Sequence, residues 1–161
     1  MEYQRTGVHS VSRLTADIVW VTKYRYPVLE GDIQIRCRSL IIQICEAEDI
    51  QILKGVVSKD HVHLHIEYRP SQNISNIVKL FKGRTSRKLQ IEFPELKHRY
   101  WGRHFWAIGF GCWSTGNITD EMLNQYLEHH RKPNDNGGNF IRINVKSWGG
   151  KCKIISLCYD G

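Results

Sequence analysis

The residues best equipped for chemistry sit in one stretch, "SKDHVHLHIEYRP", Ser58 to Pro70. His61, His63 and His65 alternate there with Val62, Leu64 and Ile66. In an extended chain, side chains at i, i+2 and i+4 share a face. A strand over this stretch therefore aims three imidazoles one way and three apolar groups the other. Imidazoles two residues apart sit about 6.5–7 Å apart at Cα, near enough to hold one divalent ion. The plain alternative is a polar sheet face with no role, and periodicity alone does not say which two would be ligands. A second pair lies in "TDEMLNQYLEHH". Tyr126 and His130 are four apart and so are neighbours on a helix. A tyrosine one turn from a histidine can be a nucleophile beside a metal ligand, although more often such a tyrosine only packs.

The elements that must position these groups read clearly. "ADIVWVTKYRYPVL" is β-branched and aromatic, a strand ended near Pro27. "GDIQIRCRSLIIQICEAED" carries Ile33, Cys37, Leu40, Ile41, Ile44 and Cys45 at helical spacing. "IQILKGVVS" is a second strand, "KD" a short turn and "HVHLHIEY" a third strand, so these two form a hairpin. "NISNIVKLFKGRTSRKLQIEF" is a helix with an apolar stripe of Ile74, Ile77, Val78, Phe81 and Leu89. "FWAIGFGCWS" is a fourth strand, and "NITDEMLNQYLEHHRK" a last helix with Thr119 as N-cap. Its Leu123 and Leu127 anchor it to the core.

That order is β-α-β-β-α-β with an added C-terminal helix carrying the tyrosine: an α+β, ferredoxin-like antiparallel sheet with helices on one face. Val62, Leu64 and Ile66 suit the helix side, which leaves the histidines on the open face. Residues 1–133 read as one domain and 134–161 as a linker and tail of unassigned role. "NDNGGN" starts the tail, and "FIRINVKSWGGKCKIISLCY" has the pattern of a hairpin turning at Gly149-Gly150.

At 161 residues the chain is long enough for one core. Its net charge of +7 favours a polyanionic partner, nucleic acid before an anionic membrane. Five cysteines, none in C-x-x-C spacing, argue against a disulfide framework or a zinc knuckle. No apolar run approaches membrane-spanning length, and "MEYQRTGVHSVSR" has no apolar core of a signal peptide. The expected compartment is a reducing cytoplasm, with no membrane partner.

"HVH" after "KD", the "KGRTSRKL" helix, "EFPELKHRYWGRHFW" and "STGNITDEMLNQYLEHH", in that order, resemble the HUH single-tyrosine transposases of the insertion-sequence 200/605 family. The resemblance runs from about Ser10 to Lys132. It implies that His61 and His63 are a metal-binding pair and that Tyr126 is the nucleophile. The family usually has a glutamine four residues after the tyrosine as third ligand, where this chain has His130. An imidazole there shifts preference from Mg²⁺ towards the softer Mn²⁺. His129 is a neighbouring candidate, and His65 stands where the family has an apolar or aromatic residue.

The resemblance further implies a divalent metal cofactor, Mg²⁺ or Mn²⁺, and a substrate of single-stranded DNA folded into hairpins at the element's ends. Cleavage through a 5′-phosphotyrosine leaves a free 3′-OH and is followed by rejoining. Lys23, Arg25, Lys79, Lys82, Arg84, Arg87 and Lys88 are the candidates for holding phosphates. Trp101, Phe105 and Trp106 are candidates for stacking on unpaired bases, with core packing expected for at least one. The family works as a homodimer in which the tyrosine helix serves either subunit. Here Gly116 would supply the flexibility, and the third and fourth strands the pairing edges. Two rivals are a non-catalytic or domesticated hairpin-binding protein of the same fold, and a metal-dependent hydrolase that uses water on the histidine face.

Overall fold

The computed structural model describes residues 5–6, 11–99, 104–114 and 119–128. The expected tail hairpin, His129, His130, Trp101 and Gly116 lie outside them. Two short strands, β1 (Arg5–Thr6) and β2 (Val11–Ser12), pair antiparallel. The main sheet contains β3 (Leu14–Val21), β4 (Gln51–Val57), β5 (His61–Tyr68) and β6 (Gly111–Ser114). Its order is β4-β5-β3-β6, antiparallel throughout. Helices α1 (Gly31–Ala47) and α2 (Ile74–Glu92) are the two crossovers, followed by the short α3 (Leu96–Arg99) and by α4 (Asp120–Glu128). This is the ferredoxin-like α+β arrangement with the added tyrosine helix. Among the described residues, no helix is long and apolar enough to cross a membrane.

The expected stripes are the buried ones. Cys37, Leu40, Ile41, Ile44 and Cys45 of α1 meet Ile77, Val78, Phe81 and Leu89 of α2 in one core with Ile18, Trp20, Val62, Leu64 and Ile66 from the sheet. Trp20 stacks on Phe81 at 5.5 Å and meets Trp106 edge-on at 5.9 Å. Asn73 caps α2 by accepting from the Ser75 and Asn76 amides at 2.8 and 3.4 Å. Thr119 caps α4 as expected, accepting from the Met122 amide at 3.3 Å.

Five expectations need correction. The first strand stops at Val21; Thr22 makes one further antiparallel bridge, to Trp106, and the chain then turns away. The Thr22 amide bonds the Asp60 carbonyl at 2.9 Å, and its hydroxyl donates to the Tyr26 carbonyl at 2.8 Å. A single 3₁₀ turn, Lys23–Arg25, follows, with Tyr24 and Arg25 at φ 59° and 50°. Local propensity for strand gave way to these bonds. The fourth strand is only Gly111–Ser114; Gly109 at φ 85° breaks the run before it. Phe105 and Trp106 are buried in the core, and the Trp106 indole N–H donates to Thr85 Oγ1 at 3.0 Å, so neither offers a face to a base. The third strand, β5, lies inside the sheet, whose described edges are β4 and β6.

The histidine face is not open either. Val19 and Val21 point the same way as the histidines, because Val19 pairs with His63 and Val21 with His61. Leu123 and Leu127 of α4 cover those valines. His61 is 1% exposed and His63 5%. The amphipathic pattern of α4 required a partner, and this patch is the apolar part of the sheet's second face.

Candidate active site

Strand alternation puts Asp17, Val19 and Val21 of β3 beside His61, His63 and His65 of β5 on one sheet face. Asp17 lies opposite His65 and one step diagonally from His63. Its Oδ1 is 3.0 Å from His63 Nε2 and 3.1 Å from His65 Nδ1. His61 turns to the carboxylate beside it in the chain, with Nδ1 2.8 Å from Asp60 Oδ1. Burial pushes the Asp17 carboxyl up, but the His63 and His65 contacts outweigh it and hold it well below the usual carboxylate range. Asp60 is shifted downward in the same way: burial opposes, while the bond from His61 and the charges of His61 and Arg25 prevail. Burial lowers His63 against the opposing pull of Asp17, so a neutral ring donating to a carboxylate is the favoured state.

Tyr126 lies on the same face, packed against the Val19–Val21–Leu123–Leu127 cluster and edge-on to Trp113 at 6.2 Å. Burial pushes its phenol up to about 12, with the Gly111 backbone pulling the other way. The phenol is therefore neutral at pH 7 and needs help to become a nucleophile. Gly111 leaves room for the Trp113 ring, which any larger residue there would push aside. A Cβ there would sit 2.6 Å from Trp113 Cζ3 and 3.3 Å from Tyr126 Cδ2.

The histidine pair suits a metal ion. Each ring presents one nitrogen to a carboxylate, Nδ1 in His61 and Nε2 in His63, so the other nitrogen is the ligand-type one. Neutral imidazoles steadied by carboxylates are the usual form of histidine ligands. Asp17 and Asp60 were not singled out from sequence. The signal was there for Asp17: a lone acid in register with Val19 and Val21 of an apolar strand is costly to bury without a partner.

Arg25, Lys82 and Arg84 of the candidate phosphate-holding set already have protein partners. Arg25 is bound to Asp60 and to the Leu127 carbonyl of α4. Lys82 Nζ donates to the Ala107 and Gly109 carbonyls at 2.6 and 2.9 Å, and burial lowers its pKa. Arg84 is 3.1 Å from Glu48. Lys79, Arg87 and Lys88 are exposed on α2, while Lys23 is half-buried with its ammonium 5.1 Å from the Tyr24 ring centre. Lys79 borders a groove between α2 and residues 104–110, shared with Ser75, Ser86 and His104.

The sequence model of the family described as "Transposase IS200 like" matches residues 10–130, three quarters of the chain. This chain belongs to that family. Among curated relatives of this IS200-like transposase, the ISDra2 transposase TnpA of Deinococcus radiodurans is 28% identical over 124 residues, 77% of this chain and 89% of the relative. The transposase for insertion sequence element IS200 of Salmonella typhimurium is 30% identical over 112 residues, 70% of this chain and 73% of the relative. A crystal structure described as a transposase of Deinococcus radiodurans R1 superposes with a TM-score of 0.74 at 26% identity, covering 80% of this chain and 98% of that one. A REP-associated tyrosine transposase bound to a REP hairpin shares the fold, with a TM-score of 0.51 at 16% identity over 80% of this chain and 67% of that one. The family is one of DNA-processing enzymes that carry out transposition, and its match spans both the histidine strand and the tyrosine helix.

Proposed function

We propose that this IS200-like transposase cleaves and rejoins single-stranded DNA at hairpin-bearing element ends, with Tyr126 as nucleophile and a divalent metal on His61, His63 and His130. One observation carries the reading: the helix bearing Tyr126 is packed on the sheet face that bears His61 and His63. Mg²⁺ or Mn²⁺ bound there would polarise the scissile phosphate and absorb charge that builds as the phosphorus is attacked. Asp60 and Asp17 would hold the His61 and His63 rings in orientation, with one nitrogen of each turned to a carboxylate. The Tyr126 oxygen gives up its proton and bonds to phosphorus, and the bond from phosphorus to the 3′ oxygen breaks. That oxygen takes up a proton and leaves as a free 3′-OH. The 5′-phosphotyrosine stores the bond energy, so a second 3′-OH reverses the step and rejoins strands without a nucleotide cofactor.

The exposed Lys79, Arg87 and Lys88, with Lys23, are the side chains proposed to meet phosphates. Arg25, Lys82 and Arg84 would have to leave their present partners to do so. The bound hairpin of the REP-associated neighbour is in keeping with a hairpin substrate. Binding is expected to weaken steeply with salt, because each neutralised phosphate releases counterions. A homodimer is proposed as well, and light scattering at tens of micromolar tests it.

A denaturing gel of labelled hairpin DNA is the deciding experiment. Wild type with Mn²⁺ should give a covalent adduct. Tyr126→Phe should give none while binding the hairpin as before, and His61→Ala or His63→Ala should lose cleavage. An adduct from Tyr126→Phe would remove Tyr126 as nucleophile, and metal-dependent hydrolysis that persists in this variant would favour water. His130→Gln should keep activity and move the preference towards Mg²⁺.

A further inference from the structure

Arg25 stands where the tyrosine helix and the histidine pair meet. Its Nη1 donates to the Leu127 carbonyl at 3.0 Å, one residue after Tyr126. Its Nε and Nη2 reach Asp60 Oδ2 at 3.1 and 3.0 Å. The other oxygen, Asp60 Oδ1, meets His61 Nδ1 at 2.8 Å. A continuous chain of polar contacts thus runs from the backbone of α4 through one guanidinium and one carboxylate to the first histidine. Its members come from three places in the sequence: the turn after β3, the β4–β5 turn and the last helix.

We propose that Arg25 is a positioning residue that couples the docking of the tyrosine helix to the orientation of His61, with Asp60 as the link. The histidine half of this proposal rests on His61 being a metal ligand; the helix half does not.

Three features support it. A backbone carbonyl has two lone pairs, so the Leu127 oxygen can accept from Arg25 in addition to any ladder bond. A guanidinium holds several donors in a rigid fork and can serve the carbonyl and the carboxylate together, which a lysine ammonium does poorly. Finally, the turn that delivers Arg25 is strained. Tyr24 and Arg25 both have positive φ, 59° and 50°, a conformation that side-chain-bearing residues avoid. The Arg25 amide bond to the Thr22 carbonyl at 2.9 Å and the Thr22 amide bond to the Asp60 carbonyl at 2.9 Å hold that turn against the β4–β5 turn. The guanidinium is also largely shielded, at 17% side-chain exposure, which fits an internal tie better than a phosphate contact.

The test uses the full chain without DNA and two readouts. Hydrogen exchange of peptides spanning residues 120–128, measured without metal, reports helix docking. A calorimetric Mn²⁺ titration reports the histidine site. Arg25→Ala should speed exchange in 120–128 about tenfold or more while the α1 and α2 peptides stay protected, and should weaken Mn²⁺ binding about 10–100-fold, as loss of a ligand's supporting partner does. Arg25→Lys should recover more Mn²⁺ affinity than helix protection, since an ammonium can neutralise Asp60 without spanning to Leu127. If Arg25→Ala loosens the whole protein, Arg25→Lys and Asp60→Asn carry the comparison. Unchanged exchange in 120–128, or unchanged Mn²⁺ affinity, in a folded variant would overturn the coupling. His61→Ala separates the two readings. If it binds Mn²⁺ as wild type does, the metal assignment of His61 fails, and exchange alone decides whether Arg25 holds the helix.

Discussion

On one side of the main sheet, Ile18, Trp20, Val62, Leu64 and Ile66 meet α1 and α2. On the other, one residue along each strand, Val19 and Val21 meet Leu123 and Leu127 of α4, with Ala107, Trp113 and Tyr126 packed beside them, and Asp17, His61 and His63 share that face. Both faces exclude water, but by different means. The first does it with a large apolar cluster in which many contacts share the load. The second does it with four buried aliphatic side chains and a small network of polar contacts through Asp17 and Asp60. Low apolar contact density is what allows an element to open locally without global unfolding. The site proposed to admit and release a nucleic-acid strand lies on the face of the second kind.

The largest effect should separate the faces by stability. Phe81 is fully buried and stacked on Trp20, so Phe81→Ala should cost about 3–5 kcal/mol by denaturant unfolding. Leu127 is as deeply buried, yet Leu127→Ala should cost the whole protein less, because α4 can detach while the rest stays folded. Its loss should appear as fast exchange confined to α4. Equal global losses from the two variants would mean that both faces belong to one cooperative unit.

Acid should act through the polar face. Burial holds His63 below its ordinary range, so below about pH 6.5 the unfolded chain binds more protons than the folded one and stability declines. Asp17 and Asp60 are held low, so their contribution is present above about pH 3.9 and is lost as pH falls below it. The signs agree: the urea midpoint should fall from pH 7 to pH 5 and again below pH 4. His63→Gln should flatten the first fall, and a midpoint that rises on acidification would contradict this account.

The smallest effect is expected at the helix caps. Asn73→Ala should cost about 1 kcal/mol globally, because α2 is part of the main core. Thr119→Ala removes a longer bond, 3.3 Å, from a helix that opens locally, so its effect should be read in α4 exchange and barely in the unfolding midpoint. A global loss from Thr119→Ala as large as that from Asn73→Ala would again erase the distinction between the faces.

Much of this was written in local pattern. Alternation in "HVHLHIEY" predicted which side of β5 would be apolar, because strand geometry has a period of two regardless of context. Helical spacing in α1 and α2 predicted the buried stripes, and Thr119 announced the start of α4. Where the apolar face of α4 would land was not local. It landed on Val19 and Val21, closing a histidine face that alternation alone left open, because an amphipathic helix takes whatever complementary patch the fold leaves exposed. The ends of the first and fourth strands also escaped the sequence, since the bonds that turn the chain at Thr22 come from Asp60 and Tyr26. The roles of Asp17, Asp60 and Arg25 depend on partners up to about a hundred residues away in the chain. A sequence displays its own period and its own caps; which buried charge meets which is decided only when the tertiary fold brings distant turns together, since the cost of burying a charge depends on what stands opposite it.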